Sequence, residues 1–281
     1  MSPLVFGLVL LAAGLHAGWN ALIKINDDRL VAMAILAGST ALISVGMLPF
    51  VPLPAPAAWP YLLVTSFIHL GYMGFLVLAY AKGDFGQVYP IARGAAPLMT
   101  AIIGLVVLGE HLSIVQWTAI VLITGGIISL AIHGIGSITH NLKSVGYAFA
   151  TAAFIAVYTV VDATGARLSG NVHSFALWLF FLHGFPLFAL TAWRRGSDLW
   201  PSVQANWKGA ALGGAMSLVA YWIVLWAMTV GTVAPVAALR ETSVIFATVI
   251  AALFFKEGFG WQRVMAAAVV AFGAYLLATS G

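Results

Sequence analysis

A chain of 281 residues that is 62% apolar and only 7% charged, with a mean hydropathy of +1.04, is not a water-soluble globule. Its formal net charge of +4 is spread over 12 lysines and arginines with no basic cluster or stripe, which excludes a nucleic-acid surface. No cysteine is present, so disulfides, thiolate metal sites and cysteine nucleophiles are excluded as well.

A helix crossing the hydrocarbon layer needs roughly 20 apolar residues. Ten stretches qualify: residues 3–24, 30–52, 58–81, 86–108, 113–133, 144–167, 172–193, 208–230, 233–255 and 260–279. The first has no basic leader and runs straight into span-length sequence, so it reads as a retained helix and not as a cleaved signal peptide. It carries His16 and Asn20 four apart on one face, flanked by Trp19. Helix three holds His69, Tyr72 and Tyr80. Helix four holds Arg93 between Pro90 and Pro97 and closes on Gly109-Glu110. Tyr158 and, near the expected span end, Asp162 follow in helix six, and His183 precedes Pro186 in helix seven. Tyr221, Trp222 and Trp226 lie deep in helix eight, and helix nine has Arg240 and Glu241 after Pro235. The longest connection, residues 194–207, spans only 14 positions, so no soluble domain fits between spans.

The halves repeat in register. Arg93 and Arg240, Glu110 and Glu257, and Gly126 and Gly273 are each 147 residues apart, as are Leu78/Leu225, Ile103/Ile250 and Leu130/Leu277. The chain therefore divides into two five-helix units, residues 1–140 and 141–281. Loop charges add an orientation. Lys24, Arg29, Lys82, Lys143, Arg194, Arg195, Lys208, Lys256 and Arg263 fall on one face, against Arg167 on the other. By the positive-inside rule the basic face is cytoplasmic and both termini lie outside. A unit with an odd number of spans enters upside down when it is repeated, so the fold expected is all-α, ten transmembrane helices in two inverted repeats.

His16-Ala17-Gly18-Trp19-Asn20 in helix one, the short turn at residues 79–87, Pro97, Gly109-Glu110, Gly125-Gly126 and Lys256-Glu257 occur in an order that resembles EamA-domain proteins. The chain is similar over essentially its whole length to this ten-helix family of the drug/metabolite transporter superfamily. That resemblance implies a carrier of small metabolites in the inner (plasma) membrane, in bacteria often an exporter of amino acids. One departure is that residues 51–59 (VPLPAPAAW) carry no basic residue where many relatives do, so the orientation is reversed from the commoner pattern.

Ionisable groups within hydrocarbon cost about 2.5–3.5 kcal/mol on insertion scales and mark pathways or partners. Arg93 and Arg240 are candidates for holding a substrate carboxylate, or for tying down helix ends. Glu241 diverges from Arg240 by about 100° on a regular helix, which points it to a partner such as Arg93; it is also a candidate proton site, protons being the candidate coupling ion. His16, Trp19 and Asn20 form a set able to bind an amino or carboxyl group, or to lock helix one in place. His69, Tyr72 and Tyr158 form a polar-aromatic track, while Trp222 and Trp226 suit a bulky apolar side chain or simple packing. Asp162 is expected near solvent or Arg167, and His183 in helix packing. Glu110 and Glu257 are expected to cap the helix that follows each or to pair across the turn, and Gly14–Gly18 and Gly209–Gly213 to permit close helix approach.

The expected function is thus a secondary transporter, an exporter of amino acids or similar small metabolites working by alternating access, with no cofactor. A transporter of phosphorylated or dicarboxylate anions is the alternative. A membrane-embedded enzyme is the reading from a different class; no HExxH, GxSxG or Walker motif supports it.

Overall fold

The structure, a computed structural model, describes residues 1–24, 29–83, 85–133, 142–255 and 260–280; Lys256 and Glu257 lie outside the described residues. Regular structure among these residues is helical. In order come α1 (Pro3–Lys24), α2 (Arg29–Met47), α3 (Trp59–Lys82), α4 (Phe85–Leu108), α5 (Ile114–His133) and α6 (Leu142–Leu168). They are followed by α7 (Val172–Arg195), α8 (Leu199–Val230), α9 (Val233–Arg240), α10 (Ser243–Phe255) and α11 (Trp261–Thr279). Nine stretches among the described residues are long and apolar enough to span a bilayer. One of them, Val172–Val230, contains both α7 and α8.

Two boundaries differ from expectation. α8 begins at Leu199, not near residue 208, and only the single turn Gly196–Asp198 separates it from α7. Pro201 does not prevent this, because a proline in the first helical turn removes no intrahelical hydrogen bond. The ninth expected span is broken into α9 and α10. Around the break Glu241, Thr242, Val244 and Ile245 donate to carbonyls three residues back, at 3.1, 3.1, 3.1 and 2.8 Å. The Thr242 hydroxyl also takes the Leu239 carbonyl at 2.7 Å, competing with the regular ladder.

The bundle exposes large apolar side chains and encloses a mostly apolar core with a minority of buried polar groups. Phe67, Val106 and Phe254 are 72–77% exposed, whereas Asp162 and Glu241 are fully buried. Thr100, Thr151, Thr159 and Thr191 satisfy their buried hydroxyls on carbonyls one turn back, at 2.8, 2.8, 2.7 and 2.9 Å.

Packing follows a two-fold pattern. α3 lies along α6 as α1 lies along α8, while α2 meets α7 and α5 meets α11. At the last contact a Cβ on Gly126 would press on Val270 and the Ala266 carbonyl. A Cβ on Gly273 would press on Ile123 and the Ala119 carbonyl. These neighbours are themselves 147 residues apart, and the reciprocal pairing runs the two helices antiparallel. The GxxxG spacings behave differently from expectation. Gly18 and Gly213 approach the facing helix, but Gly209 has open space around it, so the 209–213 pair is not one contact face. Gly184 on α7 is the tightest requirement, since a Cβ there would collide with the Ala37 carbonyl of α2.

Candidate functional site

The break between α9 and α10 places Glu241 at the centre of a buried ion cluster. Arg93 Nη2 lies 2.9 Å from Glu241 Oε2, and Arg240 Nη2 lies 3.1 Å from Oε1, with Arg240 Nε at 3.2 Å. All three residues are under a tenth exposed. The expected pairing with Arg93 is present. The divergence from Arg240 is not, because the helix stops between the two and the long guanidinium curls back. Burial of such charges is tolerable only when they are paired. Two arginines on one carboxylate still leave a positive excess. Gly94, 147 residues before Glu241, supplies no second carboxylate. Arg93 Nε has no hydrogen-bond partner among the described residues.

Tyrosines surround the cluster, Tyr72, Tyr89 and Tyr158 being electrostatic neighbours of Arg93. His16 reaches it from α1: Arg93 Nη2 donates to His16 Nε2 at 3.4 Å, and the His16 ring meets Trp19 edge-on at 4.9 Å. Asn20 turns its amide onto the His16 carbonyl at 2.7 Å, within its own helix. On the other side the His69 ring stacks on Tyr158 at 4.2 Å and tilts against His183 at 4.0 Å, while Tyr72 stands edge-on to Tyr158 at 5.9 Å. The site thus joins residues of α1, α3, α4, α6, α7 and the α9–α10 break.

Three placements depart from the sequence reading. Asp162 is not near solvent or Arg167. α6 runs on to Leu168, so this residue is fully buried and accepts from the Tyr221 hydroxyl at 2.6 Å. Its i+4 relation to Tyr158 was the available signal. Tyr221, not Trp222, turns inward on α8. Trp222 Nε1 donates to His173 Nδ1 at 2.9 Å, and Trp226 lines an end cleft of about 430 Å³ with Arg167, Asn171 and His173. Both tryptophans therefore sit toward one end of the bundle.

Glu110 does not cap the helix that follows it. Ser113 and Gln116 do so by reciprocal bonds at 2.9 and 3.3 Å, a capping box. Glu110 instead accepts from the Val233 amide at 2.8 Å, capping α9, and pairs with Arg167 at 2.8 Å. Arg167 also donates to the Met228 and Gly231 carbonyls, each at 2.9 Å. The result is a latch joining the ends of α4, α6 and α8 to the start of α9.

Residues 4–132 and 142–279 each match the EamA-like transporter family. The chain belongs to that family. A solved crystal structure with 19% identity superposes with a TM-score of 0.74 over 97% of this chain and 94% of that one, and so shows the same fold. No curated protein matches the sequence. EamA-like proteins are membrane transporters of small molecules, so the cluster lies inside an integral multi-pass transporter surrounded by lipid. The two matched stretches account for the two-fold packing: each contributes one arginine to the cluster, and the latch crosses between them.

Proposed function

We propose that this EamA-family chain is a secondary carrier that exports amino acids or similar small carboxylate-bearing metabolites, binding the cargo carboxylate at Arg93 and Arg240. The observation that carries this reading is the two-to-one excess of guanidinium over carboxylate at the cluster, with Arg93 Nε unpartnered among the described residues. A cargo carboxylate beside the two arginines cancels the positive excess that Glu241 leaves, and the coupling ion of the proposed carrier is the proton. His16, Trp19 and Asn20 flank the carboxylate side, and His69, Tyr72 and Tyr158 form the wall opposite. Trp222 and Trp226 line the approach at one end.

The architecture proposed is ten crossings, counting α7 and α8 separately and the broken α9–α10 as one. They form two inverted units, residues 1–140 and 141–281, which alternate access around the cluster. The basic loops face the cytoplasm, the termini lie outside, and the host is the plasma membrane. The same excess of guanidinium also favours a second cargo class, phosphorylated or dicarboxylate anions.

Counterflow in proteoliposomes separates them. Labelled amino acids entering vesicles loaded with unlabelled ones, saturably, is the expected result. Exchange confined to phosphate esters and dicarboxylates selects the second class, and no exchange of either by folded protein removes both.

A further inference from the structure

The interior holds a second acidic group, Asp162, that the ion pairs of the cluster do not use. Asp162 lies four residues beyond Tyr158 on α6, about 6 Å along the axis. Tyr158 is an electrostatic neighbour of Arg93, Arg240, Glu241 and Asp162. The Asp162 carboxylate is fully buried, and its Oδ2 takes the Tyr221 hydroxyl. Oδ1 has no hydrogen-bond partner among the described residues, although the Thr65 hydroxyl stands beside the carboxylate and stabilises its charge. Arg240 faces it from the α9 side, but the ion pairs of Arg93 and Arg240 go to Glu241. A carboxylate in a membrane interior with no cation on it is costly, and an orphaned acceptor adds to that cost. The group is built for a donor that arrives.

We infer that Asp162 is a specificity-determining residue, whose Oδ1 takes the ammonium group of a zwitterionic cargo while the arginines hold its carboxylate. The inference rests on the carrier reading above. A zwitterion carries both an anionic and a cationic group, and Arg240, which ties the ion cluster to Glu241, is also an electrostatic neighbour of Asp162. An anion lacking the nitrogen leaves Oδ1 orphaned and binds more weakly. Dicarboxylates and phosphate esters are rejected by the same carboxylate, through repulsion.

The test is competition against labelled phenylalanine or leucine counterflow by 3-phenylpropanoate, which lacks the amine, and by N-acetylphenylalanine, whose nitrogen is neutral. Wild-type protein should favour phenylalanine over both by at least about tenfold. Asp162→Asn should collapse that preference toward unity, and Asp162→Glu should restore it, each checked for a monodisperse profile in detergent. A wild type that accepts the amine-free acid equally well, or an Asp162→Asn that keeps the preference, overturns the inference. Exchange of amine-free carboxylates alone would leave the carrier reading standing and this one fallen; silence toward both sets would remove both. An unchanged preference together with lost pH-gradient-driven flux assigns a proton, not the cargo, to Asp162.

Discussion

At the scale of single residues, the cluster's stability and its function separate. Removing Glu241 leaves two buried guanidiniums without a carboxylate between them, a change of the kind that costs about 3–5 kcal/mol. Arg240→Gln leaves the Arg93–Glu241 contact in place. Glu241→Gln should therefore lower the thermal transition in detergent clearly more than Arg240→Gln does. If the arginines bind cargo, Arg93→Gln and Arg240→Gln abolish saturable counterflow while the protein stays folded and inserted. Parallel decline of flux and thermal stability in both variants would instead assign them a purely structural part. The pairing of Arg93 with Glu241 was open to anticipation because charged residues are scarce in this chain. The inward turn of Tyr221 was not: adjacent residues on a helix point about 100° apart, and only the position of α6 tells which of Tyr221 and Trp222 faces Asp162.

Between elements, the Glu110 latch and the glycine contacts do the positioning. Glu110 holds α9 by its first amide and α6 by Arg167. Glu110→Gln should loosen the start of α9 by about 1 kcal/mol, as loss of a helix cap does. Faster hydrogen exchange at Val233 is the readout, and unchanged exchange would show that the cap is dispensable. Helix contacts give a sharper contrast. Gly184→Val drives a side chain into the Ala37 carbonyl and should abolish monodisperse protein. Gly209→Ala meets open space within α8 and should be neutral or stabilising by about 0.5–1 kcal/mol. The sequence spacing marks Gly209 and Gly213 alike. Which of them lies against a neighbour depends on how α8 is rotated, and that is set by α1 and α2.

For the whole molecule, the reciprocal Gly126 and Gly273 contact and the paired arginines describe halves related by a two-fold axis. If the basic loops are cytoplasmic, a cysteine replacing Lys82 reacts with an impermeant thiol reagent only from the cytoplasmic side, and one replacing His173 only from outside. Both reacting from one side would overturn that orientation. The absence of native cysteine leaves no background in this measurement. Asn20→Cys extends it inward: cargo should protect that thiol if α1 lines the pathway, and unprotected reaction would remove α1 from it.

Apolar runs of span length, a 147-residue repeat and the bias of basic loops are properties of the chain read along its length. They were enough to specify an all-helical, duplicated membrane protein, because a bilayer admits few solutions for backbone polar groups; the EamA kind came from the order of short motifs such as His16–Asn20 and Gly109-Glu110. The register of α5 on α11, the break at Glu241, the inward turn of Asp162 and the reach of Glu110 to α9 came only with the tertiary structure. Each depends on contacts between residues far apart in sequence, and in a bundle uniformly apolar on its outside, hydrophobic periodicity carries almost no information about which face turns in.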